Sequence, residues 1–191
     1  MKKRLGPQTR LYPMPVPLIC SGTGDEANLM TVAWVTIAGT KPPAVAMVVG
    51  RRHRTLELMR ECGEFTVNFA SASYAMEVDY CGLAKGRDVD KWEATGLTKA
   101  PSAVVSPPIV AECPYNLECR VMQEIDLPTG SLLVVGEILE AHADEDVLAE
   151  SGEDVSVEAM DPLCYVTGVR EYWRLGEKVG DAYSIGKSLM L

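Results

Sequence analysis

Histidine is scarce in this chain, occurring only at His53 and His142, and neither sits in a hydrolase motif. No Ser–His–Asp arrangement therefore has a basis, and no paired-carboxylate glycosidase signature is present. Cationic residues are also in short supply, with 18 Lys and Arg against 27 Asp and Glu and a formal charge of −9. With no basic stripe interleaved with aromatics, that balance argues against a nucleic-acid surface. It leaves room for a small anion held by a local cationic pocket. The six cysteines, at 20, 62, 81, 113, 119 and 164, show no Cys-x-x-Cys spacing. No metal site is expected; four of them lie in apolar or periodic segments as small buried hydrophobes, and a reducing cytoplasm is the expected compartment. No stretch approaches the ~20 uninterrupted apolar residues of a membrane helix. The basic start at residues 1–4 runs into polar residues and prolines, so no signal peptide and no membrane partner are expected.

What the chain does have is one apolar domain's worth of residues. At 191 residues and 47% hydrophobic it reads as a single domain, 1–191, with the first ~10 residues and an arm from about residue 176 peripheral. The organising stretch is 28–55. Residues 28–37 read as one strand, and after a turn at 40–43 the continuous apolar run 44–49 predicts a strand buried on both faces. Gly50 ends it, and Arg51, Arg52, His53 and Arg54 follow. Thr55 then opens a helical pattern with Leu56, Met59 and Cys62 on one stripe and Glu57 in the first turn. A basic turn emptying into a helix start favours an anion, because free N–H groups and guanidinium groups converge there. The same stretch also reads as a buried hairpin followed by a solvated arginine-rich loop.

Elsewhere the pattern is mostly short alternating strands. The letters Gly22-Thr23-Gly24-Asp25-Glu26-Ala27 match a dinucleotide fingerprint, but a strand follows them rather than a helix, so they read as a hairpin turn. On 28–37, Asn28, Met30, Val32 and Trp34 share a face, which suits either a flat heteroaromatic ring or core filling with a hydrogen-bonded edge. Residues 64–70 alternate, with Phe65, Val67 and Phe69 toward the core; Asn68, on the other face, is a candidate pocket amide. Helical stretches are expected at 74–81 and 88–93, the second carrying Lys91. Residues 100–114 read as an extended crossing segment. The clearest hairpin follows: Leu117, Cys119, Val121 and Ile125 point inward, Glu118, Arg120 and Glu124 outward, Pro128-Thr129-Gly130 turns, and 131–141 returns. Residues 144–161 hold eight carboxylates and read as an exposed acidic loop; 163–169 is a last core strand. Many short strands and two or three helices predict a mainly β fold with flanking helices, an antiparallel, Greek-key-like split barrel.

Several of these pieces, in order, resemble the flavin reductase-like family of FMN-binding split barrels, similar to flavoredoxin. They are residues 28–34, Arg52-His53-Arg54-Thr55, the strand 64–68, Cys81-Gly82-Leu83, Gly86-Arg87, Asp90-Lys91-Trp92, Gly96-Leu97-Thr98, Leu117-Glu118-Cys119 and Gly136-Glu137. The resemblance covers about 16–172 and implies the same split-barrel fold. It also implies FMN as cofactor, with Asn28, Thr31 and Trp34 along the flavin and Tyr165 beside it; Met30, on the same strand face, and Asn68, from its alternation, join them as candidate cofactor-binding residues. Arg52, His53, Arg54, Thr55 and Lys91 are then expected at the phosphate. Hydride would come from NADH or NADPH, and electrons would pass to free flavin, iron or a partner protein. An FMN-bearing electron carrier without strong reductase activity is the alternative, as is a binding module on the same scaffold without flavin. The family commonly has histidine just after the 128–130 turn; here the residue is Ser131. A symmetric homodimer with flavin at the subunit boundary is expected, from the apolar strands 44–49 and 131–141, from Tyr165, Tyr172 and Trp173, and from the resemblance.

Overall fold

A computed structural model describes residues 1–190. Its strands are β1 (Met14–Pro15), β2 (Leu18–Ser21), β3 (Asn28–Thr31), β4 (Val35–Thr40), β5 (Pro43–Gly50) and, after helix α1 (Arg54–Cys62), β6 (Glu64–Phe69). Helices α2 (Ala75–Leu83) and α3 (Lys91–Thr95) come next, followed by the short pair β7 (Lys99–Ala100) and β8 (Ile109–Val110). The long hairpin is β9 (Tyr115–Asp126) with β10 (Ser131–Ala143), and the chain closes with α4 (Val157–Met160), β11 (Leu163–Val166) and β12 (Glu171–Arg174). Residues 176–190 are exposed; Leu191 lies outside the described residues.

The main sheet runs β3-β2-β6-β9-β10-β5-β4, and every pair in it is antiparallel. Its two outermost strands are consecutive in sequence. Residues 28–40, read as one strand through 37, are in fact β3 and β4 joined by Val32-Ala33-Trp34. Val32 still donates to the Pro17 carbonyl at 3.1 Å, but the Trp34 carbonyl already accepts from Val48 at 2.9 Å. Within three residues the segment changes partner from the β2 edge to the β5 edge, so one piece of chain bridges both ends of the sheet.

The interior confirms the wrap. Ile19, Met30, Val35, Met47, Phe65, Cys119 and Val134, one from each strand of the sheet, pack into one buried cluster with Leu56 and Met59 of α1. Alternate residues Leu18, Cys20 and Leu29 face a second cluster with Val78, Cys81 and Trp92 of α2 and α3. Each such Leu or Val contributes roughly 1.5–3 kcal/mol on burial. β2 and β3 are thereby buried on both faces. β5, expected to be so, is not: Val45, Met47 and Val49 are buried while Ala46 and Val48 are partly open.

Two further expectations are corrected. The helical pattern read as opening at Thr55 begins one residue earlier, at Arg54, behind His53 as a cap with extended backbone and no side-chain hydrogen bond; Thr55 lies inside the first turn and is fully buried. Glu118, expected outward on β9, is fully buried, because residues 101–108 fold over that face. Its carboxylate accepts the backbone N–H groups of Ala103 (2.6 Å), Val104 (2.7 Å) and Val105 (2.9 Å), and His142 Nε2 at 2.5 Å. Among the described residues, no helix is long and apolar enough to cross a membrane.

Candidate functional site

The N-terminus of α1 faces loop 84–90, which links α2 to α3, across a cleft of about 160 Å³. Asn28, Met30, Arg52, His53, Arg54 and Thr55 line it, together with Lys91 and residues 82–87 of the facing wall. Seven of the predicted site residues therefore meet in one place, although they come from three separate segments.

Each is held by identifiable contacts. Asn28 Nδ2 donates to Thr55 Oγ1 at 2.6 Å and to the Leu29 carbonyl at 3.1 Å, tying β3 to the first turn of α1. Gly86 packs directly on that amide, and any Cβ there would run into the Asn28 side chain; loop 84–90 can approach only as glycine. α1 stops at Gly63, whose left-handed φ of 74° lets its N–H return to the Met59 carbonyl at 2.8 Å. α3 is fixed by the Asp90 carboxylate, which accepts from Trp92 N at 2.8 Å and Glu93 N at 3.3 Å. The Trp92 indole donates to the Ala27 carbonyl at 2.8 Å. These contacts set Lys91, the first residue of α3, into the cleft wall.

Lys91 is only 3% exposed. Its Nζ donates to the Leu29 carbonyl at 2.8 Å and the Cys81 carbonyl at 2.7 Å, and no ion pair to it occurs among the described residues. An ammonium has three donors, so one remains unused. Burial holds its pKa below the ordinary lysine value, the nearby Cys81 acting the other way. His53 is likewise held below its usual value, by desolvation and then by the Lys91 charge.

Arg54 bonds Glu26 at 2.8 Å and approaches Glu57 at 3.5 Å, and Arg87 pairs with Glu57. Arg52 and Lys85 have no side-chain partner among the described residues. The first backbone N–H groups of α1 point the same way, without an intrahelical acceptor. Chemically, this arrangement can receive a compact anion: fixed donors, one buried positive charge and guanidinium groups at the rim.

The other predicted residues lie elsewhere. Thr31 borders the cleft wall, 3.4 Å from where a Cβ on Gly82 would sit, but its hydroxyl is given to the Val78 carbonyl. Trp34 lies past the break between β3 and β4, is 50% exposed, and lines an apolar groove of about 360 Å³ with Leu11, Met14, Met47, Val48 and Leu133. Asn68 is fully buried away from any cleft: it donates to the Leu18 carbonyl and Thr66, and accepts from Val110 N and Asn116. It is a completed core amide, not a pocket group. Tyr165 stacks on Tyr172 at 5.6 Å in the β1-β11-β12 sheet, and the Tyr172 hydroxyl bonds Asp79 at 2.9 Å.

Sequence reasoning had not assigned Lys85 and Arg87 to the site. Two cations flanking a glycine between two helical stretches were the available signal. The cysteines offer no competing chemistry: all six are free, and burial pushes the Cys81 thiol up to about 11 and Cys119 up to about 12.

The fold is an antiparallel split barrel, the architecture of flavin reductase-like proteins, with a cationic cleft at a helix start. The chain belongs to that family: residues 9–174 match the flavin reductase like domain. Its structure is similar to flavoredoxin of Desulfovibrio vulgaris (Miyazaki F), with TM-score 0.91 and 32% identity over 97% of this chain and 100% of that one. Flavoredoxin from Methanosarcina acetivorans superposes with TM-score 0.88 and 35% identity, covering 100% of this chain and 98% of the other. A protein of Archaeoglobus fulgidus is 38% identical over 130 residues, 68% of this chain and 72% of that one.

Proposed function

We propose that this protein binds FMN, with the flavin phosphate in the cleft between α1 and loop 84–90, and works as an NAD(P)H-dependent oxidoreductase. The observation that carries this is Lys91: a buried ammonium with a spare donor and no carboxylate to neutralise it. Burying an unpaired charge is costly, and a phosphate would supply the missing counter-charge. Family membership supports flavin as the group that carries it.

The residues present fit such a group. Lys91, Arg54 and the free N–H groups of α1 would hold the phosphate, Arg52 would screen it from the rim, and Asn28 with Thr55 would border the chain leading to the ring. When bound, FMN supplies hydride acceptance from NADH or NADPH and electron delivery to an acceptor such as free flavin, iron or a partner protein. This chain's own groups bind, orient and shield it. Burial and then the Lys91 charge hold the His53 pKa below its usual value, which favours its neutral form, with one ring N–H as donor. Six unpaired thiols support a reducing compartment, the cytoplasm.

Ser131 favours a second reading, an FMN-bearing electron carrier with weak reductase activity. It starts β10 opposite Gly50 at the position where the family resemblance implies histidine, and a serine hydroxyl does not titrate near neutral pH. Purified protein should be yellow, and apo-protein should take up FMN. Replacing both Arg54 and Lys91 by alanine should weaken that uptake at least ~10-fold, since charge-assisted hydrogen bonds are worth roughly 1.5–3 kcal/mol each. Unchanged affinity in the double variant rules the assignment out. NADH and NADPH oxidation with FMN present then separates reductase from carrier.

The working unit in this reading is a homodimer. The groove beside Trp34, with Ile37 64% exposed at its strand, leaves an apolar face that a second copy would cover. Light scattering on the holo-protein should give twice the chain mass. A monomer holding one FMN per chain would mean that the flavin site closes within a single chain.

A further inference from the structure

The cleft changes sign along its length. The chamber assigned above to the phosphate is lined by Arg52, Arg54, Lys85, Arg87 and Lys91 and, among the described residues, by no carboxylate. Past Asn28, Arg54, Gly86, Arg87 and Lys91, which border both spaces, it continues into an outer chamber of about 370 Å³. There the wall adds Asp25, Glu26, Asp88 and Asp90. Two of these four are engaged, Glu26 with Arg54 and Asp90 as the α3 cap. Asp25 and Asp88 have no cationic partner among the described residues. Lys99, whose Nζ is held on the Gly24 carbonyl at 2.8 Å, sits 5.6 Å over the Trp92 ring rather than on Asp25.

We propose that this acidic outer chamber is the specificity element of the flavin site, admitting a flavin monophosphate and rejecting a flavin dinucleotide. The inference rests on the inner chamber being the FMN phosphate site. A phosphate seated there meets cations and no carboxylate in the chamber wall. FAD differs by an adenylate joined through that same phosphate, so its second phosphate and the nucleoside must leave by the outer chamber. The space is sufficient, because small-molecule pockets begin at about 300 Å³. The sign is wrong, because the second phosphate would stand against Asp25 and Asp88, while the cations that border that wall are taken: Arg54 by Glu26, Arg87 by Glu57 and Lys91 by the first phosphate. Size does not discriminate here; charge does.

The test compares FMN and FAD binding to apo-protein by flavin fluorescence titration, in the wild type, in D25N/D88N and in the charge-conserving D25E/D88E. Each neutralised carboxylate near the second phosphate should be worth about three- to tenfold at the intermediate dielectric and screening of a cleft. The expected result is FMN preferred over FAD by at least about tenfold in the wild type. D25N/D88N should tighten FAD about tenfold while FMN stays within about twofold, and D25E/D88E should keep the wild-type preference. Wild-type protein binding FAD as tightly as FMN overturns the proposal. So does a D25N/D88N variant that binds FMN normally, and is therefore folded, yet leaves FAD affinity unmoved. Wild-type protein that takes up neither flavin fails the phosphate assignment itself, and the selectivity proposal with it.

Discussion

Glu118 and Lys91 are both ionisable, both almost wholly buried, and built in opposite ways. Glu118, fully buried under residues 101–108, accepts three backbone N–H groups and His142. Burial pushes its pKa up, but the hydrogen bonds from Ala103, Val104, His142 and Val105 outweigh it and hold the carboxyl below its ordinary range. Lys91 has two carbonyls, a spare donor and no counter-charge, and its pKa is displaced toward the neutral form. One network is complete within the chain, and the other is complete only with something added. A satisfied buried charge is architecture, whereas an unsatisfied one beside a cleft points to a ligand.

The largest expected effect falls on the completed side. E118A leaves three amides without an acceptor and should destabilise the fold by about 3–5 kcal/mol, read by urea denaturation. E118Q, which keeps an acceptor oxygen, should lose less. The incomplete side should behave differently. K91M removes the charge but keeps the length, and should weaken FMN binding about 10- to 100-fold, the loss of one charge-assisted contact. Its urea midpoint should hold or rise, since a costly buried charge is gone. If K91M unfolds as readily as E118A, the two sites are alike after all and the comparison collapses.

Titration sharpens the contrast because the two groups act in different pH windows. Glu118 has a lowered folded pKa, so its contribution is present at neutral pH and is lost as pH falls below the ordinary carboxylate range. Lys91 also has a lowered folded pKa, but its charged form is the burdened one. Stability of the apo-protein should therefore rise with pH as the folded lysine loses its proton ahead of the unfolded one, approaching the ordinary 10.5. FMN affinity should fall over the same alkaline window. K91R, whose charge does not titrate there, serves as the control in fluorescence titrations: an equal fall in both proteins would assign the effect to the flavin rather than to Lys91. The smallest effect belongs to the rim. R52A should weaken FMN by only about two- to fivefold, and the difference should shrink in high salt, as for any exposed charge. A salt-independent loss as large as that of K91M would move Arg52 from the rim into the buried contact set.

Much of the architecture was legible in the residues themselves. The β9–β10 hairpin follows from alternation and a Pro-Thr-Gly turn, which are local properties. The rejection of the Gly22–Gly24 fingerprint held for the same reason: the strand after it pairs antiparallel with β2. The basic turn running into α1 is likewise a matter of neighbours in sequence, and ordered short motifs carried Lys91 to the same place. Residues 28–37 were read correctly as extended, but their division was not visible, because the break at Val32–Trp34 is set by two different partner edges. That break is what separates Trp34 from Asn28 and Met30.

Composition and periodicity by themselves determined an antiparallel β protein with a cationic helix start in an acidic chain, because strand alternation, turns and caps depend on residues a few positions apart. Tertiary structure alone decided which polar groups were used up. Glu118 and Asn68 show the same outward alternation as solvated residues, and become core only when residues 101–108 and Asn116 close over them. Lys85 and Arg87 look like any surface pair until loop 84–90 is laid against Asn28. Whether a buried charge is satisfied depends on donors and acceptors tens of residues away, and in this chain that long-range pairing is what sets the cleft apart from the core.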